Sequence, residues 1–452
     1  MFTRLVWSLA LTGLASTGCS AARTYECRSN AQCVDDTGAS GICEPGAVCS
    51  FADTSCATTQ RRYADGGGPL VGMCVAAPRT ACVSDLAGGL DHFCIVRSDA
   101  TVWCWGANAA GQLGDGTTLD RASPVAARTP PGRTFHEVRV SENHTCALAT
   151  DDTLWCWGGN DVGQLGVITA AGVAHADSPL PIQVMAVSGA AAPYTLSPFK
   201  AKHIAAGGKH TCAIDPAGAL WCWGENADGQ CGFSPTAVDD ALYPMALPGL
   251  ASGIIAVDVG DEHSVSLRDD GSVFEFGGNA NGQLGDGTTT DSYLPVKAKI
   301  TSVAALTGGD EHSCALKSDG SIWCWGYGAA VGLAGGQDQA TPQRLLTGKS
   351  IWAGGSAFHT CAVQDNALLC WGANDVGQIG MGSIEPGNTT VTLPTRALIA
   401  TVARAAASEN DTCAVTAEGQ LWCWGANNHG QLGQGTIGEP SAVPLRVAVT
   451  CD

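Results

Sequence analysis

The chain has 452 residues, of which 45% are hydrophobic and 14% charged, so it can bury a large core and does not have the composition of a disordered chain. Its net charge of −19 is spread without a long acidic run, and no basic stretch is available to neutralise phosphates, which argues against nucleic-acid binding. Length alone predicts about three domains, but internal repetition overrules that expectation.

Residues 1–18 read as a targeting segment: Arg4 is the positive start, and the apolar stretch from Leu5 to Ala15 is too short to span a membrane as a stable anchor. It ends in Ser16-Thr17-Gly18-Cys19, which resembles the bacterial lipoprotein cleavage box. That resemblance implies lipidation of Cys19, although Ser16 stands where the box has Leu, with Leu14 close by. The rival is an ordinary cleaved signal. Residues 19–78 hold Cys27, Cys33, Cys43, Cys49, Cys56 and Cys74 in a turn-rich module with little core of its own, where disulfides supply what packing cannot. Fifteen pairings of those six are open. The segment is similar to cysteine-rich leader modules of secreted bacterial proteins, which implies no activity.

From residue 79 to 452 one pattern recurs: His-Thr-Cys-Ala, a polar turn, Leu-Trp-Cys-Trp-Gly, then Asn and Gly-Gln-Leu-Gly. Seven glycines close the Trp-Gly step, Gly106, Gly158, Gly224, Gly277, Gly326, Gly372 and Gly425, at intervals of 46 to 66 residues. That period is one of propeller blades and not of helical solenoids, and units that bury surface only against neighbours form one body. Short apolar runs alternate with glycine turns, so the prediction is all-β, a seven-bladed β-propeller following the small disulfide-rich module. Leu154-Trp155-Cys156-Trp157 is apolar throughout because both faces of a blade pack on other blades.

Twelve of the 22 cysteines fall in the repeats as pairs: Cys94/Cys104, Cys146/Cys156, Cys212/Cys222, Cys314/Cys324, Cys361/Cys370 and Cys413/Cys423. Folding each repeat as a hairpin sets the two opposite each other, inside disulfide range. The fourth repeat has Val265 and Glu275 at the two places, so the cysteines disappear together. Zinc is the competing reading, since His92, His144, His210, His312 and His359 each stand two residues before a cysteine. Yet the fourth repeat keeps His263 without cysteines, and the seventh keeps cysteines with Asp411 in the His place. The features separate, so disulfides are predicted and no metal site. Cys231 reads as a small buried apolar residue. Cys82 and Cys451 flank the repeats and are predicted to bond each other, with the two termini sharing one blade to close the ring.

His-Thr-Cys-Ala-Leu, Leu-Trp-Cys-Trp-Gly-x-Asn and Gly-Gln-Leu-Gly-Asp-Gly-Thr-Thr resemble the repeats of the regulator of chromosome condensation family. Gly111 to Thr118 and Gly282 to Thr289 are the clearest copies, and the fifth unit departs with Gly328-Ala-Ala-Val331-Gly-Leu333. The resemblance implies a seven-bladed propeller over about residues 90–450, with the repeated His as framework. Asp115-Gly116-Thr117 reads as a turn, lacking the further oxygen ligands of a calcium cage. No Gly-x-Ser-x-Gly, phosphate loop or His-Glu-x-x-His occurs, so no catalytic and no cofactor-binding residues are assigned. The variable stretches 167–202, 233–253 and 383–395 are where function on a rigid scaffold tends to sit.

The functional expectation is a non-catalytic binding or scaffold protein. It is a monomer outside the cytoplasm, lipid-anchored to the bacterial cell envelope at its outer membrane or surface. It engages a protein partner and takes no cofactor. The alternatives are an extracytoplasmic enzyme inhibitor or a carbohydrate-active enzyme, which would show paired carboxylates at one mouth of the ring. Guanine-nucleotide exchange, the activity of the family's namesake, is disfavoured by the export signal and the disulfides.

Overall fold

The computed structural model describes residues 82–189, 191–384 and 389–449, with three short strands before them, Ile42–Glu44, Val48–Ala52 and Arg61–Tyr63. The chain divides into two compact units, Met1–Arg79 and Thr80–Asp452. In the first, the three strands pair antiparallel in chain order. The signal segment, Cys19 and the leader cysteine pairings lie outside the described residues.

The second unit is seven four-stranded antiparallel sheets, each built from consecutive strands. Blade one runs from Val83 to Ala126 and blade seven from Val402 to Val447. In every blade the first strand faces the axis, the second carries His-Thr-Cys or its variant, the third Trp-Cys-Trp-Gly or its variant, and the fourth is the outer edge.

The predicted cysteine pairs sit in direct register across strands two and three. Cys94 bonds Cys104, Cys146 bonds Cys156 and Cys212 bonds Cys222. Cys314 bonds Cys324, Cys361 bonds Cys370 and Cys413 bonds Cys423. Each pair holds its Cα atoms 4.1 Å apart, including Cys361–Cys370, whose turn is one residue shorter. A non-hydrogen-bonded antiparallel pair already brings two Cα atoms to about that separation, so the hairpin itself sets up the bridge. In blade four, Val265 and Glu275 occupy the same register.

The edge strands solve a physical problem. An unpaired edge invites pairing with another chain. Each fourth strand here carries a proline, Pro124, Pro181, Pro244, Pro295, Pro342, Pro394 and Pro444, and each shifts register against the Trp-Gly step of strand three. Proline withholds a donor and the bulge bends the strand, so the rim cannot template another sheet.

The bulge also receives the next-door loop. A Cβ on Gly111 would lie 2.5 Å from the Pro179 Cα of blade two, one on Gly282 2.4 Å from Ala340 Cα, and one on Gly377 2.7 Å from Ala442 Cα. At the ring's join, Gly430 of blade seven meets Ala122 Cα of blade one at 2.5 Å. The ring therefore closes as every other joint does, face to face. This corrects the expectation that the termini share a blade: each repeat supplies all four of its own strands, so none is left to exchange. The join is apolar inside, where Val83, Leu86, Phe93 and Trp105 pack on Cys413, Val415, Leu421 and Val447. Either side of it is polar: Arg404 ion-pairs with Asp85 toward the axis, and the His429 imidazole hydrogen-bonds Asp120. Cys82 is disulfide-bonded; its partner lies outside the described residues, as does Cys451.

The stretch 167–202 contributes a hairpin, Met185–Ser188 with Thr195–Pro198, beside the outer strand of blade three. Tyr194 from it meets Tyr243 at 6.1 Å between ring centroids.

Two glycines test the closing contact. Gly430 (φ 84°) and Gly435 (φ 81°) share a left-handed backbone, but a Cβ on Gly435 meets nothing nearer than Ser123 Oγ at 3.5 Å. Gly435→Ala is expected to cost about 1 kcal/mol, the conformational part alone, and Gly430→Ala about 3 kcal/mol, read by chemical denaturation.

Candidate functional site

The residues singled out by the repeats are framework. Cys104, Cys156, Cys222, Cys324, Cys370 and Cys423 each stand directly before the inner tryptophan of strand three, fully buried and committed to their bridges. They staple strands two and three and offer no thiolate to a ligand, so the structure places none of them in a binding site.

The repeated histidines are buried between blades, and the Nε2 of each meets the hydroxyl that follows the His position of the next blade, which in blade seven is Asp411. His92 meets Thr145 at 2.9 Å, His144 Thr211 at 2.8 Å, His210 Ser264 at 2.9 Å, His263 Ser313 at 2.9 Å, His312 Thr360 at 2.6 Å and His359 Thr412 at 2.7 Å. Thr145, Thr211, Ser264 and Thr412 donate onward to the carbonyl of the Gln in Gly-Gln-Leu-Gly, as Thr145 does to Gln112 O at 2.8 Å, whereas Ser313 lies nearer Glu275 Oε2, at 3.1 Å, than Gln283 O, at 3.3 Å. A donating hydroxyl leaves only its lone pair for the imidazole, so the Nε2–H donates and the ring is the neutral tautomer. Burial lowers these histidines to about 3 for His92, His144, His210 and His312, and to about 4 for His263 and His359.

The same carbonyl accepts from the next blade's second tryptophan: Trp157 Nε1 donates to Gln112 O at 2.8 Å, and Trp105 Nε1 to Gln431 O at 2.7 Å across the join. Because the acceptor is backbone, blade five does without Gln: Ala330 O takes Trp371 at 2.8 Å and Thr360 at 3.3 Å. The helical turn Gly328–Val331 delivers that carbonyl. At the join Asp411 replaces His and Phe93 replaces the hydroxyl, so both partners of the relay are missing together. Burial pushes the Asp411 carboxyl well up, as it does Glu275 in blade four. Asp115 is committed to its own turn, accepting from Thr117 and pairing with Arg121. Cys231 is a buried free thiol with its pKa raised by burial.

Two features remain that the framework does not explain, one at each end of the ring. The loops between first and second strands gather Glu142, Asp261, Glu262, Asp310, Glu311 and Glu409, none of which ion-pairs among the described residues. Burial, then Glu142 and Glu262, lifts Asp261 to about 7, and burial, then Asp261 and Glu311, lifts Asp310 to about 8. Glu262, Glu311 and Glu409 are raised by burial first and then by neighbouring carboxylates. These carboxylates come just before the His position of their blades, a signal that was present in Gly-Asp-Glu-His at 260–263 and 309–312.

The axis is not a through-channel. Gly354 and Gly355, in the loop after the first strand of blade six, cross it: a Cβ on Gly354 would sit 2.0 Å from Ala407 O, and one on Gly355 2.5 Å from Gly207 Cα of blade three. What is left is a blind cavity of about 320 Å³ along the first strands, open at their starting ends, away from the acidic loops. Sequence reasoning missed its residues because the first strands share no motif. One signal existed: of thirteen tryptophans, Trp352 alone lies outside both the repeat positions and the signal segment, and it lines this cavity.

With that geometry in hand, the comparisons with known proteins agree. The RCC1-like domain pattern matches residues 185–451, and regulator of chromosome condensation (RCC1) repeats match 99–148 and 151–214. The chain belongs to the RCC1 repeat family. It is 28% identical over 381 residues to the ultraviolet-B receptor UVR8 of Arabidopsis thaliana, covering 80% of each chain. It is 30% identical over 226 residues to the probable E3 ubiquitin-protein ligase HERC6 of Homo sapiens, but spans only 21% of that protein. In fold it is similar to Prp20p from Saccharomyces cerevisiae, with TM-score 0.66, 22% identity, and 80% and 87% of the two chains covered.

The acidic loops generate a pH prediction. A carboxyl raised in the folded state costs stability once ionised: the penalty is full above the folded pKa and vanishes below the unfolded one. Asp310→Asn is therefore expected to raise stability at pH 9 by on the order of 2 kcal/mol and to leave it unchanged at pH 4, measured by thermal unfolding at both.

Proposed function

We propose that this chain is a non-catalytic scaffold outside the cytoplasm, lipid-anchored through Cys19, whose acidic loop face docks a basic surface of a protein partner. The observation that carries the reading is the set of six carboxylates from four blades, without ion-pair partners among the described residues, around one end of the ring. Like charges held together repel, here offset only in part by Lys209 of blade three near Glu142, and the cost falls on stability. A basic partner would relieve it, giving fast and salt-sensitive association. Six disulfides in the blades suit an oxidising compartment, which speaks against exchange on a cytosolic or nuclear GTPase. The protein acts as a monomer and takes no cofactor.

A second reading, glycoside hydrolysis, is favoured by one observation: Asp261 and Asp310 stand on adjacent blades with raised pKa values. An acid and base pair needs environments that push the two apart. Both are pushed up here, by burial and shared like charge, so binding remains the stronger reading.

The test is capture from cell-envelope extract with the purified chain and with a Glu262→Lys, Glu311→Lys, Glu409→Lys variant. The wild type should retain a basic protein that elutes at roughly 0.5 M salt, where screening acts within a few ångströms, and the variant should retain none. Equal capture by both sinks the acidic-face reading. Glycoside hydrolysis by the wild type that is lost in Asp261→Asn would support the second. Lipidation is checked separately by metabolic labelling with a fatty-acid probe: label should appear on the wild type and be absent from Cys19→Ala.

A further inference from the structure

The cavity on the axis has a charge distribution that the fold does not require. At its mouth, Asp85 binds two guanidinium groups, Arg139 Nη1 at 3.0 Å and Arg404 Nη1 at 2.5 Å. Arg139 also pairs with Glu137 at 2.9 Å, which His203 approaches at 3.7 Å. This cluster ties blades seven, one, two and three together and is internally balanced, two arginines against two carboxylates.

A third carboxylate stands beyond Asp85 and Glu137, at the level of Arg139. Asp258 lines the cavity and ion-pairs with no described residue. Its oxygens accept backbone N–H groups from Val259 at 3.1 Å and Gly308 at 3.1 Å, which fixes the carboxylate in place. Along the first strands, its level is shared by Arg139 of blade two, Thr307 of blade five and Trp352 of blade six, by register with their second strands. The Thr307 hydroxyl takes Ala353 N at 3.0 Å and so anchors the Gly354–Gly355 plug just beyond. Trp352 is half-buried and its ring has no aromatic or cationic partner among the described residues. The wall between these groups and the mouth is aliphatic, with Leu306 and the exposed Ile255.

We propose that this blind cavity binds a primary ammonium or guanidinium group on an apolar stem, the cation against Asp258 and Trp352 and the stem along Ile255 and Leu306. Three carboxylates, Asp85, Glu137 and Asp258, face two arginines in the cavity, so one is left over even with Arg139 at the Asp258 level; Asp258 also shares that level with a free aromatic face, and an aromatic ring attracts a desolvated cation. The cavity's volume is near the lower end for ligand pockets, suiting a single side chain or a small amine and little more. Burial already pushes the Asp258 carboxyl up, opposed by Arg139, so a bound cation would also relieve a strained ionisation. The source is either a free amine or a lysine or arginine side chain offered by a bound protein. The cavity opens on the face opposite the acidic loops, so it does not depend on the docking reading above.

The test is calorimetric titration of the purified full chain with n-butylammonium, with N-acetyl-lysine-methylamide, which offers a free side-chain amine, and with butyrate. Saturable binding of either amine, weakened at least tenfold by Asp258→Asn and by Trp352→Leu, supports the proposal. Preference for the small amine assigns a free ligand, and preference for the lysine derivative assigns a partner's side chain. Trp352→Leu stands alone if Asp258→Asn fails to fold. No binding of either amine at millimolar concentration, tighter binding of butyrate than of the amines, or binding indifferent to Trp352→Leu overturns it.

Discussion

Every blade depends on one backbone carbonyl, the one contributed by Gln in Gly-Gln-Leu-Gly or by Ala330 in blade five. It accepts the next blade's tryptophan N–H and, in most blades, a threonine or serine hydroxyl, whose oxygen in turn receives a histidine N–H from the blade behind. All of these groups are buried, and an unpaired buried polar group costs about 1–3 kcal/mol. The relay therefore specifies neighbour order as well as adding stability: a blade can only sit where its hydroxyl finds a carbonyl and an imidazole on its neighbour. Blade four shows what is optional. Phe276 has no N–H to give, and Ser264 alone meets Gln230 O at 2.8 Å.

The relay runs through neutral histidines, and this sets the chemistry available to the protein. Six imidazoles locked by burial cannot serve as titrating bases near neutral pH, nor as ligands without breaking the joints they make. Chemistry is displaced to the two ends of the ring, where the first strands and their loops are free of the repeat. At one end the loops collect acid without ion pairs; at the other the strands leave a cup in which three carboxylates face two arginines. The plug at Gly354 and Gly355 separates the two. Only glycine permits it, since any Cβ there would strike the backbone of the far wall.

Repetition made the architecture legible in the sequence. A motif recurring seven times in register states blade number, hairpin pairing and the blade disulfides, because strands two and three are local and their register follows from a short turn. The joint loss of cysteines at Val265 and Glu275, and the separation of His from Cys at Asp411, were enough to tell bridges from metal. The tertiary structure decided what repetition cannot express. Ring closure depends on which face of blade seven meets blade one, a contact between residues as far apart in sequence as Gly430 and Ala122. The cavity depends on first strands that share no motif, so Asp258, Trp352 and Arg404 come together only when seven dissimilar segments converge on one axis. Local hydrogen bonding and side-chain period are written along the chain; charge balance in an enclosed space is a sum over distant residues, and only the folded ring performs it.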